Sequence, residues 1–464
     1  MKFRTNETMK TVFKIATALL ITSASTLVVA KDILVKPGQL IQDSVRLAHS
    51  GDRILVEPGV YHESIYIDKS KITLKGLQVD GEYAIIDGKN KLNDGIITSG
   101  HFSVIEGFKV RGYKGNAIMT QGANNFKILN NVVEGAFYGI FPQYGKNGLL
   151  KGNTISGAED AGIYVGMSDN IDVVENVAFE NVMGLEFENC RNALMADNNV
   201  YNNSTGIALT LIPGLPVKDA KDLIIRDNII RDNNHANFAP SSSIAAQIPQ
   251  GVGILIVGPD NVTIENNVIE DNHAAGVSVF DMLTFGLARD AQVDPFSDNI
   301  WIMKNQWKNN GNKPVGLFAE FLGSIGSGFE LVATGKEKGS CVLKQDNVDT
   351  IGTRRWGECD ASQSKANYAT AMLAEPVKSE EYSAEQKGRL TYLAVCTGCH
   401  AYNTVLHGPS ITSIKAIYAN KPEALASYVS EPIRKRHDFP EMPPQSYLGE
   451  ETLAAISTYI LNDL

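Results

Sequence analysis

The sequence predicts a mainly β protein, a long coil of parallel strands followed by a small all-α domain. Three observations predict it. An apolar-x-x-Asn-x-apolar pattern recurs at Asn131, Asn153, Asn176 and Asn198, with steps of 22, 23 and 22 residues, and continues at Asn228, Asn267 and Asn305. A Gly-apolar pair keeps the same beat at Gly139, Gly162, Gly184 and Gly206, then at Gly253 and Gly276. The last stretch changes period: "SAEQKGRLTYLAVC" and "GEETLAAISTYILNDL" are capped, amphipathic and helical.

A repeat of this length with short alternating strands and Asn or Gly corners suits parallel strands wound into a coil. Leucine-rich repeats have similar length but need a leucine skeleton, absent here. Asn tolerates left-handed backbone angles and hydrogen-bonds within its own turn. The prediction is therefore a column of Asn131, Asn153, Asn176 and Asn198 at the strand spacing, roughly 4.8 Å. Successive coils bury one another's inner side chains in one continuous core. The 41 glycines exceed the usual ~7% and mark many tight turns.

The N-terminus carries Lys2, Arg4, Lys10 and Lys14 and then an apolar run, Ile15 to Ala30, ending Val28-Val29-Ala30. Residues 1–30 read as an export signal cleaved before Lys31, and the run is short and rich in Ala, Ser and Thr for a membrane span. Removing it moves the formal net charge from −10 to −13, because four positive charges and Glu7 leave together. Such a surface repels nucleic acid and anionic membranes, and no later stretch is long and apolar enough to span a bilayer. Export permits disulfides. With Cys396 and Cys399 otherwise employed, Cys341 and Cys359 are the natural pair, and Cys190 is a small apolar core residue.

The entry segment, Ile33 to Ile67, reads as a strand, a short amphipathic helix (Ile41, Val45, Leu47, Ala48), Gly51-Asp52 and another strand into Pro58-Gly59. That helix caps the open end of the core. The segment resembles the N-terminal cap of right-handed parallel β-helix proteins, a group that includes pectate lyases and polysaccharide epimerases. The resemblance covers about residues 33–325 and implies the fold far more than an activity. The β-helix is assigned to residues 31–325, a connector to 326–382. Within the connector, "PVKSEEYS" looks like a linker.

Later steps lengthen to 30, 39 and 38 residues, so insertions fall near 211–221, 234–250 and 281–298. Long loops on a rigid solenoid carry function, decorate the surface or dock another domain. Alternation along the Gly-apolar strands points Ile140, Ile163, Leu185 and Ile207 inward. It points Phe141, Tyr164 and Glu186 outward in one column, with Gln143 and Glu188 on the same face. Aromatics beside carboxylates suit sugar rings; a solvated sheet face with large side chains gives the same pattern. Glu186 and Glu188 are the weak catalytic candidates, and Asp281, Arg289, Asp290 and Asp294 share one loop. Neither set matches a hydrolase or lyase signature, and the Asp-Pro-His-Asp motif of alginate-type epimerases is absent.

Cys396-x-x-Cys399-His400 in an exported chain is the attachment signal of a c-type haem. Zinc would want a second Cys/His pair nearby, and a redox dithiol a preceding strand with a thioredoxin-like pattern. Residues 383–464 show an N-terminal helix, CxxCH, Gly408-Pro409, Met442 followed by prolines, and a C-terminal helix. This order resembles class I cytochrome c. The resemblance implies one covalent haem c on Cys396 and Cys399, His400 as proximal and Met442 as distal iron ligand. It also implies that the Pro409 carbonyl fixes the His400 tautomer. His407 and His437 are the alternative sixth ligands. A thioether ligand raises the potential and suits electron transfer. The run Arg434, Lys435, Arg436 steers a negatively charged redox partner protein, meets haem propionates or is simply solvated.

Three functions follow. The first is an exported monohaem electron-transfer protein whose β-helix binds a ligand, a glycan or a partner. The second is a polysaccharide lyase, hydrolase or epimerase with an accessory haem domain. The third is a β-helix scaffold in a respiratory complex.

Overall fold

The computed structural model describes residues 30–464 except 242, 288–289, 324, 335–336, 347, 398, 404–407, 436–438 and 440–441. The expected export signal, all but its last residue, therefore lies outside the described residues, as do Arg289, His407, Arg436 and His437. Among the described residues the chain winds through three parallel sheets of 13, 11 and 10 strands, each turn adding one strand to each sheet. The sheets continue through Leu331–Ala333, Cys341–Val342 and Gly357–Glu358, past the boundary expected at 325. Cys341 and Cys359 are disulfide-bonded, with Cα atoms 5.0 Å apart. Cys190 is fully buried and its thiol meets the Val165 carbonyl at 3.1 Å.

The asparagine column forms as the spacing predicts. Each Nδ2 donates to the next Oδ1, from Asn131 to Asn153 at 3.1 Å and then through Asn176, Asn198, Asn228, Asn267 and Asn305 at 2.9–3.0 Å. The longer steps do not interrupt it. At this corner the left-handed residues are the ones just before the ladder: Asn130, Glu175, Asp197, Asp227 and Asn266 have φ of 53–58°. The ladder side chains thus hold corners that their predecessors bend. A second ladder runs five residues on, through Asn181, Asn203, Asn233, Asn272 and Asn310 at 2.9–3.1 Å.

Asn176 is buried and also donates to the carbonyls of Leu150 and Val174, while its Oδ1 accepts from the Asn153 backbone. Asn176→Ala leaves those groups buried and unpaired. The expected loss is about 3 kcal/mol, since each orphaned buried group costs ~1–3 kcal/mol. A urea midpoint that falls with an unchanged slope checks this; an unmoved midpoint refutes it.

Inside the coil, Ile118, Ile140, Ile163, Leu185, Ile207, Ile254 and Val277 form one buried column in register. The helix Ile41–Leu47 closes the N-terminal end with Ile41 and Val45 buried. Glu63 accepts from the backbone amides of Ile41 and Gln42 at 2.8 and 2.9 Å, meeting two donors that no helical turn can pair. Leu47 is 70% exposed and is not part of the cap's apolar face.

The segment 364–382 is not a loose linker. It runs back along the coil as a bound strap. Glu265 accepts from Ser364 and Lys365, Asp172 from Ala371, Asn147 from Leu373 and Asn125 from Val377. Tyr382 donates to the Gly122 carbonyl, and the Glu380 carbonyl meets His101 Nε2 at 3.0 Å. The strap delivers the C-terminal unit onto the outer face of the 11-stranded sheet.

That unit is helical: Ala384–Thr391 continuing to Cys396, Ile411–Ile417, Pro422–Ser430, and Glu450–Thr458 continuing to Asp463. Ser383 and Gln386 form a reciprocal cap at its start. The first and last helices cross so closely at Gly388 that a Cβ there would lie 2.4 Å from the Ala455 carbonyl oxygen. One apolar cluster joins Tyr66, Ile97, Met119 and Phe141 of the sheet to Tyr392, Leu453, Ile456 and Ile460 of the helices. Lys387 Nζ stands 3.5 Å from Asp68 at its edge.

Candidate functional site

Two constellations meet on that sheet face. The first is the CxxCH turn. The helix that begins at Ser383 ends by presenting Cys396, and the Cys399 and His400 amides both donate back to the Cys396 carbonyl, at 3.2 and 2.9 Å. Both thiols are unpaired, and burial pushes Cys396 up to about 12 and Cys399 upward. His400 Nδ1 donates to the Pro409 carbonyl at 2.8 Å. Gly408 lies flat against the ring: a Cβ there would sit 2.4 Å from His400 Cε1. Only glycine lets the chain pass this close. The Pro409 bond occupies Nδ1 and leaves Nε2 as the free donor atom. Burial lowers the His400 pKa, so the ring is neutral near pH 7. Met442 is half-buried against the apolar cluster of the helices. Lys435 is turned to two tyrosines, 2.8 Å from Tyr418 Oη and 4.3 Å from the Tyr428 ring centre.

The second constellation is an acid cavity. The outward column is in the register expected: Tyr164 pairs with Glu186, and Gly166 with Glu188, on adjacent strands. Phe141 stacks on Tyr164 with ring centres 4.2 Å apart and planes 7° apart, and Tyr138 leans on both. The insertions then fold over the column. Ile212 from the first, Ile244, Ala245 and Ile248 from the second, and Phe285 and Leu287 from the third line the same cavity as Tyr138, Asp160, Tyr164, Glu186 and Glu188.

Asp160 and Glu186 are each only 5% exposed. Thr210 Oγ1 donates to Glu186 at 3.0 Å, whereas the Asp160 carboxyl has no hydrogen-bond partner among the described residues. Burial first, then the neighbouring carboxylates, pushes Asp160 up to about 8 and Glu186 well above the usual range. Burial brings Glu188 to about 7. Asp160 and Glu188 so placed can hold and release protons near neutral pH.

Asp160 was not among the residues singled out from sequence; it directly precedes the strand Ala161–Gly166, on the beat of the Gly-apolar motif. The loop acids do not join the cavity. Asp281 caps the turn at Leu283 and Thr284, and Asp294 the turn at Phe296. Asp290 ties two insertions together by accepting from Gly214 at 3.0 Å and Lys218 at 2.7 Å.

Residues 45–213 match a family described as periplasmic copper-binding protein (NosD), and residues 212–351 match one described as right-handed β-helix region. The fold is a right-handed parallel β-helix. No curated protein matches the chain significantly. Among solved structures, the A-module of an Azotobacter vinelandii mannuronan C-5 epimerase is 16% identical, covering 67% of this chain and 88% of that one with a TM-score of 0.49. A DFA-IIIase from Arthrobacter chlorophenolicus is 11% identical over 67% and 88%, TM-score 0.43. An alginate lyase from a Paenibacillus species is 13% identical over 71% and 97%, TM-score 0.38.

Proposed function

We propose that the protein is an exported monohaem c-type cytochrome carried on a β-helix and that it acts in electron transfer with a redox partner protein. The observation that carries this reading is the pairing of His400 Nδ1 with the Pro409 carbonyl, which leaves Nε2 unused beside two unpaired thiols. Cys396 and Cys399 would hold the porphyrin, His400 and Met442 the iron. A bound haem supplies one-electron redox chemistry. The chain's own part is to fix the imidazole tautomer, hold the thiols at the end of one helix, and shield the turn with the helices and the sheet face.

Expression with export in a host that matures c-type haem tests it. The expected product carries one covalent haem, shown by its mass and by a haemochrome spectrum in alkaline pyridine, and titrates reversibly as a one-electron couple. A colourless product with both thiols open to alkylation rejects the reading.

The copper named in one family description finds no matching donor set here. Within 45–213, both His101 ring nitrogens are engaged, by the Asn124 amide and the Glu380 carbonyl, and burial pushes the Cys190 thiol up to about 12. Among the described residues no three His, Cys, Asp or Glu side chains are grouped to hold a metal ion.

A second reading is a carbohydrate-active β-helix, a lyase, hydrolase or epimerase, with the helical unit as an accessory. Asp160, Glu186 and Glu188 beside Tyr138 and Tyr164 favour it, because such carboxyls serve as general acid and base on sugars. Turnover on a panel of neutral and uronic acid polysaccharides, lost in both Glu186→Gln and Glu188→Gln, would move the assignment to this reading.

A further inference from the structure

Asp94 belongs to the coil but faces the helical unit. It lies in the turn before the strand Ile96–Thr98, and its side chain is fully buried. Oδ1 accepts from the Asn116 backbone at 3.1 Å and from Asn116 Nδ2 at 2.7 Å. Oδ2 accepts from Asn93 Nδ2 at 2.8 Å and from the Tyr447 hydroxyl at 3.4 Å. Tyr447 sits in the turn Ser446–Leu448, shortly after Met442, so the carboxyl bridges the two parts of the molecule.

The titratable groups that feel this carboxyl are Tyr113 and Tyr447 and the thiols of Cys396 and Cys399, and its negative charge adds to the upward push on each. No ion pair to Asp94 occurs among the described residues. A buried carboxyl held only by dipoles is costly, and through Tyr447 this one reaches the apolar cluster that also takes in Cys396 and Met442. Oxidation of a haem held on those cysteines adds one positive charge, and a buried carboxylate nearby favours the oxidised state.

We infer that Asp94 is a positioned electrostatic partner of the haem site, a carboxyl that the β-helix presents to Cys396 and Cys399 so that the coil lowers the potential of the helical unit and makes it depend on pH. This rests on the haem reading above. Burial raises the Asp94 pKa, so the group gains its charge as pH rises. The potential therefore falls as pH rises through that titration, and reduction takes up a proton by the same linkage.

The test is the reduction potential as a function of pH for the full-length, haem-loaded parent, Asp94→Asn and Tyr447→Phe, each first checked for the parent's low-spin spectrum. The parent's potential is expected to fall with pH. Asp94→Asn should hold the parent's acid-limit potential at every pH. Tyr447→Phe keeps the carboxyl but removes a donor that stabilises its charge, so the sloping region should move to higher pH. This variant carries the test alone if Asp94→Asn fails to fold. A haem-loaded Asp94→Asn with the parent's potential and slope, or a Tyr447→Phe curve identical to the parent's, overturns the inference and leaves the haem reading standing. A parent without covalent haem overturns both.

Discussion

On the proposed haem reading, His400→Ala is expected to abolish the low-spin haem spectrum, whereas Met442→Ala is expected to keep the haem attached and open one iron site. The two outcomes differ because the residues are held differently. His400 follows Cys399 directly, and its ring is clamped between the Gly408 backbone and the Pro409 carbonyl. Nothing else among the described residues presents a nitrogen at that position. Met442 comes from a separate loop and is only half-buried. With Met442 gone, Cys396 and Cys399 would still hold the porphyrin. Loss of the thioether removes its preference for ferrous iron, so the potential falls. Carbon monoxide should bind Met442→Ala readily and the parent poorly. Free binding of carbon monoxide by the parent would dismiss Met442 as a ligand. A low-spin Met442→Ala would hand the site to His407 or His437, the alternatives from sequence, both outside the described residues.

Much of the coil was legible because its signals repeat. The first ladder survives steps of 30, 39 and 38 residues, since each asparagine needs only the asparagine of the next coil and any excess chain leaves through a loop. The second ladder was equally legible, five residues after each of the last five members of the first, and went unread because those asparagines sit outside the apolar pattern. The outward column of Phe141, Tyr164 and Glu186 follows from strand alternation alone.

Other features depend on contacts that no local pattern encodes. The strap of residues 364–382 is polar and reads as a linker, yet most of its bonds go to Asn, Asp and Glu side chains of the coil. Leu47 lies six residues after Ile41, which puts it on the face of the helix opposite the buried Ile41 and Val45. The convergence of three insertions over Glu186 and Glu188 is set by packing of Ile248, Phe285 and Leu287 across coils. Asp160 enters the cavity from a turn, where neither alternation nor helical period applies.

Asp160→Asn is expected to stabilise the protein at pH 8 by about 5 kcal/mol and to change little at pH 4. In the unfolded chain an aspartate ionises near pH 4. In the folded chain burial and the charge of Glu188 keep Asp160 protonated up to about 8. Between these values the folded state binds more protons than the unfolded state, so unfolding becomes easier as pH rises. This is the reverse of a carboxylate held by a cation, whose contribution is lost on acidification. Glu186 and Glu188 act in the same direction. Because each carboxyl raises the others, the three single neutral variants should together gain more than the triple variant does. Denaturant midpoints at pH 4, 6 and 8 measure the effect. A parent whose stability is flat across that range, or an Asp160→Asn that is less stable at pH 8, would mean the carboxyls are satisfied by partners and serve the fold. The expected result has the opposite meaning. Three acids held where neutral side chains would strengthen the solenoid would support the second reading, in which they act on a ligand of the cavity.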